Sequence, residues 1–169
     1  MEIEICYANT DDTDSLGLIY SQSYQAAFRG IIPDSILDDV FSFEKRRDGF
    51  RKELSEGLLS NVIMHRENEP VGFLTYGQSK DEDLSSSTIE LLRLYILPSC
   101  WKQNIGSELM RWGIKELRQK GYSQISLWVI EENKRAIKLY ERMGFVQDGT
   151  TRIINVGKEI KDLRYKLML

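Results

Sequence analysis

The sequence predicts an α/β fold built on a mixed, mostly antiparallel sheet with one parallel crossover pair. Three observations carry that expectation. Between Ile89 and Phe145 the apolar pattern runs strand, helix, strand, helix, and two strands joined by a helix lie parallel. Before this stretch, Val62–Arg66 and Val71–Tyr76 flank the turn Glu67-Asn68-Glu69-Pro70, an antiparallel hairpin. After it, a strand from about Phe145 to Thr151 or beyond and another over Asp162–Leu169 flank Gly157-Lys158-Glu159, a second hairpin. A length of 169 residues fits a single domain spanning residues 1–169.

The remaining elements follow in order. Ile3, Ile5 and Tyr7 alternate with polar residues, as in a strand. The polar cluster Asn9–Asp14 suits a helix cap, and Leu16, Ile19, Tyr20, Tyr24, Ala27 and Phe28 follow at helical spacing until Gly30. Pro33-Asp34 opens a short helix carrying Ile36, Leu37 and Val40, and Ser42 opens a charged one with Phe43, Phe50 and Leu54 inward. The polar segment Ser79–Ser87 reads as a mobile loop. The strand Ile89–Leu97 turns at Pro98 into a helix that opens at Asn104-Ile105-Gly106-Ser107. The strand Gln124–Val129 leads to a helix carrying Asn133, Ala136 and Tyr140.

Composition narrows the class. Apolar residues make up 41% and run along the whole length, enough for a core and too many for a disordered chain. The formal charge is −3 with both signs interspersed, so there is no basic block of the kind that grips nucleic acid. The N-terminus lacks a signal-peptide pattern, and no apolar run approaches the roughly 18 residues needed to cross a bilayer. Cys6 and Cys100 lie far apart, and with His65 the single histidine, no metal site is expected. These features point to a reduced, cytoplasmic protein, monomer or homodimer, without nucleic-acid, membrane or metal partners.

The stretch 89–145 is the most informative. A strand that runs through a short loop into a helix gathers unpaired N–H groups at one point, and the helix dipole there favours an anion. A phosphorylated cofactor is therefore expected. The order Leu94-Tyr95-Ile96-Leu97-Pro98, then Ile105-Gly106-Ser107-Glu108-Leu109, then Asn133-x-x-Ala136-x-x-x-Tyr140-x-x-x-Gly144-Phe145 resembles the two cofactor-binding motifs of the acetyl-CoA-dependent N-acetyltransferases, the GNAT superfamily. Phe28-Arg29-Gly30-Ile31-Ile32-Pro33 resembles the first-helix segment of many members. The resemblance implies a GNAT fold, with a sheet splayed between its two parallel motif strands and helices on both faces. It also implies acetyl-CoA as co-substrate. The family's loop usually reads Arg or Gln, two residues, Gly, one residue, then Gly or Ala. Here it reads Trp101-Lys102-Gln103-Asn104-Ile105-Gly106, and only the last Gly is kept. Asn104 tolerates a left-handed backbone better than other non-glycine residues. Lys102 supplies a charge where Trp101 removes one, and Trp101 itself is placed to cover the cofactor or a partner.

Site residues follow from the same resemblance. Lys102, Gln103, Asn104, Ile105, Gly106 and Ser107 are implied at the pyrophosphate, the amides of Leu94, Tyr95 and Ile96 along the pantetheine arm, and Asn133 as its hydrogen-bond partner. Asn133 also reads as an ordinary helix cap. Tyr140 lies two helical turns beyond Asn133 on the same face and is implied as the acid that protonates the departing sulfur. An alkylamine has a pKa of about 10.4, so a general base helps. Glu90 stands where some members keep a strand glutamate for that purpose, and equally reads as a solvent-facing side chain. Glu131 and Glu132 are second choices, His65, Trp112 and Trp128 read as structural, and Arg93 either lines the acceptor groove or faces solvent. The motifs occupy the cofactor half of any cleft, so the acceptor is expected against the segment from Tyr24 to Pro33, with Tyr24 and Phe28 as a wall that adjusts around it. The reading is an enzyme acetylating a primary amine of a small molecule or polyamine. The alternatives are a protein N-terminal or lysine acetyltransferase and a weakly catalytic acyl-CoA sensor.

Overall fold

The computed structural model describes residues 2–169. Its sheet has seven strands, β1 (Ile3–Tyr7), β2 (Ser60–Arg66), β3 (Glu69–Gln78), β4 (Thr88–Ile96), β5 (Gln124–Ile130), β6 (Val146–Asn155) and β7 (Glu159–Met168). They lie in the order β1-β2-β3-β4-β5-β7-β6, antiparallel throughout except at β4–β5. The first hairpin is tighter than its sequence suggests. Glu67 and Asn68 take φ of 53° and 66°, the mirror-image two-residue turn that matches strand twist. Pro70 thus falls inside β3 opposite His65, and the register slips between Met64 and His65 where the ring has no N–H to donate.

Two irregularities shape the middle of the sheet. β4 and β5 pair only at Thr88–Gln124, Ile89–Ile125 and Glu90–Ser126, and then part. Against β3, Leu91 sits opposite Tyr76 and Arg93 opposite Thr75, which leaves Leu92 as an unpaired bulge. The bulge resets the alternation. Ile89, Leu91, Leu94 and Ile96 all face one core, and Arg93 and Tyr95 turn to the other face of the sheet.

Five helices cover those faces: α1 (Thr13–Phe28), α2 (Asp34–Val40), α3 (Phe43–Glu56), α4 (Ile105–Gln119) and α5 (Lys134–Arg142). On one face, Leu109, Met110 and Leu117 of α4 and Ile137 and Tyr140 of α5 pack on Ile125, Leu127 and Leu163. On the other, Leu16 and Ile19 of α1 and Phe50 of α3 pack on Ile63 and Phe73. Beyond them Tyr24, Phe28, Leu37 and Phe41 close over Ile130 and Ile160. Asn9 anchors the entry to α1: its side chain accepts from the Asp11 N–H, and Asp12 accepts from the Asn9 N–H, both at 2.8 Å. Gly17 lets α1 cross α3 closely, since a Cβ there would stand 2.8 Å from the Arg47 Cα.

The segment 79–87 differs from its sequence expectation. Arg164 of β7 is almost fully buried, and its guanidinium binds Asp83 at 2.6 and 2.8 Å, Asp81 at 3.3 Å, Asp148 at 2.8 Å and the Thr150 hydroxyl at 3.0 Å. Trp128 Nε1 donates to Asp81 at 3.0 Å. A polar composition mimicked a free loop, but these carboxylates pin it to the sheet. Removing the cation would deprive the partly buried carboxylates of Asp81 and Asp148 of a charge-assisted partner, a loss of about 1.5–3 kcal/mol. Arg164→Met should therefore lower the urea unfolding free energy by roughly that amount at neutral pH. Burial would raise the Asp148 carboxyl, but the Thr150 amide, Arg164 and Lys166 outweigh it and hold it below the usual range. Stability from a depressed carboxylate is present above its unfolded pKa, about 3.9, and is lost as pH falls through the folded value. The gap between wild type and variant should therefore narrow below about pH 4. A gap that stays constant down to pH 2 would show that Arg164 contributes packing rather than charge.

Candidate active site

Beyond Glu90 and Ser126 the parted strands open into a cavity of about 380 Å³. The Leu97 N–H donates to Val71 O at 2.9 Å, so by alternation the backbone of Tyr95 also faces β3. Leu94 and Ile96 instead turn their N–H and C=O groups into the gap. Of the three residues that the motif assigns to the pantetheine arm, two therefore present backbone there, and Tyr95 presents its ring. The Ile96 carbonyl already accepts from Ser23 Oγ at 2.9 Å and from Trp101 Nε1 at 2.7 Å. Trp101 thus folds into the cavity wall, with the Arg135 guanidinium 3.1 Å from its ring centroid.

The loop that follows holds its glycine-like shape without the glycine. Lys102 and Asn104 take φ of 63° and 64°, both left-handed. No side chain caps α4, so the N–H groups of its first turn open on the cavity. Lys102, Asn104, Ile105, Gly106 and Ser107 all line it. Gln103 does not: its amide donates to Ser99 O at 2.9 Å and accepts from Arg66 at 2.6 Å, away from the cavity. A Cβ on Gly106 would meet Leu139 at 3.4 Å, an ordinary contact, which agrees with the alternation of Gly and Ala in the motif. Arg135, Lys138 and Arg142 of α5 also line the cavity and were not singled out from the sequence. Their spacing of three and four residues marks one helix face, but taken alone such cations read as solvated surface. An uncapped helix N-terminus facing these cations and Lys102 fits a phosphorylated ligand.

Asn133 caps α5, accepting from the Ala136 N–H at 3.3 Å, and also lines the cavity. Tyr140 is buried, and its hydroxyl has no hydrogen-bond partner among the described residues. Burial pushes its pKa up to about 12, so it keeps its proton at any pH at which an amine reacts.

The opposite face of the gap has a different character. Glu90 is half-buried at the last paired position before the strands part, and burial, then the nearby Asp81, raise its pKa. Asp162 on β7, not singled out from the sequence, is buried with its pKa raised by burial. Both of its Arg152 contacts, at 3.0 Å, fall on one oxygen, Oδ2. The Arg152 guanidinium lies 4.1 Å over the Trp128 ring. Tyr24 and Phe28 are closed in rather than adjustable. The Tyr24 ring stacks on Phe41 at 3.7 Å and meets Phe28 at 4.4 Å, and Tyr24 and Phe28 are 7% and 3% exposed. Arg93 neither faces solvent nor stands free, since it binds Glu53 through both nitrogens at 2.9 Å. Glu131 pairs with Lys161 at the surface, and His65 sits on β2 between β1 and β3. Tyr95 joins the two halves. Burial, then proximity to Tyr20, Tyr24 and Tyr140, hold its hydroxyl protonated.

Comparison with known proteins agrees with this geometry. Residues 21–145 match the Acetyltransferase (GNAT) family. An aminoalkylphosphonate N-acetyltransferase of Salmonella typhimurium is 26% identical over 144 residues, covering 85% of this chain and 85% of that protein. A spermidine N(1)-acetyltransferase of Thermoplasma acidophilum is 25% identical over 158 residues, covering 89% and 92%. A Thermoplasma acidophilum N-acetyltransferase solved in complex with coenzyme A superposes over 100% of both chains with a TM-score of 0.75 at 21% identity. With an uncapped helix start beside two parting strands, and a family match over most of its length, the chain belongs to the GNAT acetyltransferase family.

Proposed function

We propose that this acetyltransferase moves the acetyl group of acetyl-CoA directly onto a primary amine of a small molecule or polyamine. Tyr140 acts as the general acid and Glu90 as the base. The observation that carries the reading is the unpartnered hydroxyl of Tyr140 on the cavity side of the parted strands, with the raised carboxyl of Glu90 on the other side. Acetyl-CoA supplies an activated acyl carbon when bound. The N–H groups of the α4 first turn, with Lys102, Arg135, Lys138 and Arg142, hold its phosphates. A β4 N–H turned into the gap donates to the acyl oxygen as charge develops there. Glu90 takes the proton that the amine must lose, directly or through one water, and the Tyr140 hydroxyl donates to the departing sulfur. The small-amine acceptor is supported by relatives named for aminoalkylphosphonate and spermidine acetylation.

Tyr140→Phe removes only the donor. Turnover should fall about 10²- to 10⁴-fold, while acetyl-CoA at 100 times its dissociation constant should still stabilise the fold by about 2.7 kcal/mol in thermal unfolding. Wild-type turnover in that variant would remove Tyr140 from the chemistry, and a wild-type protein unmoved by millimolar acetyl-CoA would sink the whole reading.

Glu90→Gln tests the base through pH. The raised carboxyl ionises as pH rises through its folded value, and the wild-type rate should rise with it. The variant should lose most at low pH and partly recover as the amine deprotonates itself. An equal loss at every pH would assign Glu90 to packing.

A further inference from the structure

The face covered by α1 and α3 holds a second cavity, of about 60 Å³, whose charges do not cancel. Its walls include Tyr20, Arg46, Phe50, Glu53 and Arg93. Glu53 is the one acid among them, and it is fully used: both oxygens bind Arg93 at 2.9 Å, and one also accepts from Asn61 at 2.7 Å. The Arg46 side chain has no ion pair or hydrogen bond among the described residues, and its Nε is shielded from solvent without a partner. Its guanidinium lies 5.5 Å from the Tyr20 ring centroid and 5.3 Å from that of Phe41. Attraction to the rings offsets part of the desolvation, but it satisfies none of the planar N–H donors. One positive charge is left over.

That charge lies beside the acceptor side of the site. The Tyr20 ring packs 4.8 Å from the Tyr95 ring, and Tyr95 lines the cofactor cavity. The Phe41 ring beneath Arg46 is the one stacked on Tyr24. We propose that Arg46 is an anion subsite for the acceptor. The amine acetylated here carries, a few carbons from its nitrogen, an anionic oxygen group (carboxylate, phosphonate or phosphate) that the Arg46 guanidinium binds. A guanidinium with free in-plane donors matches such groups bidentately. Arg93 cannot substitute, because Glu53 already holds it. A polyamine would set a second cation against Arg46, an unfavourable contact that selects against it. The inference rests on the acetyl-transfer reading and narrows its acceptor.

The test compares 2-aminoethylphosphonate and β-alanine with the uncharged 3-amino-1-propanol and with putrescine, in the wild type, Arg46→Gln and Arg46→Lys. The wild type should favour at least one anionic amine over aminopropanol by about 10- to 100-fold in kcat/KM, the size of a charge-assisted contact. Whichever anionic amine is preferred distinguishes a phosphonate from a carboxylate source. Arg46→Gln should abolish that ratio through the acceptor KM with the KM for acetyl-CoA unmoved, and Arg46→Lys should restore part of it. Calorimetry of the anionic amines with the acetyl-CoA-loaded wild type and Arg46→Gln gives a readout independent of turnover. Equal or better turnover of aminopropanol or putrescine by the wild type would overturn the subsite and leave acetyl transfer standing. Binding of an anionic amine that is lost in Arg46→Gln, without turnover of any amine, would keep the subsite and overturn the acetyl-transfer reading. If Arg46→Gln fails to fold, the wild-type preference still decides.

Discussion

Everything at this site depends on two parallel strands that stop pairing after three residues. A parallel pair inside a sheet normally satisfies its backbone continuously, and unpaired buried N–H and C=O groups are costly. Here the groups of Leu94 and Ile96 are left facing a gap. The protein satisfies one of them itself, with Ser23 and Trp101 both donating to the Ile96 carbonyl. The others remain for a ligand that can run alongside β4 as another strand would. The same parting places the uncapped start of α4 and the hydroxyl of Tyr140 around one cavity, because the helices after β4 and β5 both begin where those strands have separated.

The two faces of the gap handle charge in opposite ways. On the cofactor side, cations of α5 and bare helix N–H groups are unopposed, as an anionic ligand requires. On the other face, acids and bases are mixed and their states differ. Arg164 is surrounded by Asp81, Asp83, Asp148 and Thr150 and is saturated, which makes it a structural clamp. Arg46 sits among aromatic rings, and the nearby acid, Glu53, is held by Arg93. Residue type does not distinguish these two arginines; the number of acceptors that the fold brings to each one does.

The cofactor loop shows how far a motif can drift while its shape is kept. Glycine is common in such loops because close approach to an anion demands left-handed backbone. Lys102 and Asn104 adopt that backbone anyway, at some conformational cost. Asn104 was legible as a tolerant substitute, since its short amide is one of the few side chains that suit φ > 0. Lys102 was legible only as a charge. Gln103, which the motif placed at the phosphates, is drawn outward by Arg66 and Ser99, partners remote in sequence or invisible to any local pattern.

The sequence by itself determined the element order, the parallel crossover and the position of the cofactor motif, because these follow from apolar period, turn residues and spacing along one local stretch. Membership of the GNAT family was legible for the same reason, since Gly106, Asn133 and Tyr140 lie within that stretch. Only the tertiary structure decided what surrounds Glu90. Asp162, Arg152 and Trp128 come from strands far apart in the chain, and the raised carboxyls of Asp162 and Glu90 arise from burial that no local pattern reports. The loop 79–87 looked free because its aspartates are polar, and it is held because Arg164, some eighty residues later, lies beneath them. Tyr24 and Phe28 were placed at helical spacing from sequence, but that Phe41 would stack on Tyr24 and close the wall was settled by how α1 and α2 meet. Periodicity along a chain specifies which way a side chain points, whereas solvation and partners depend on what arrives from elsewhere.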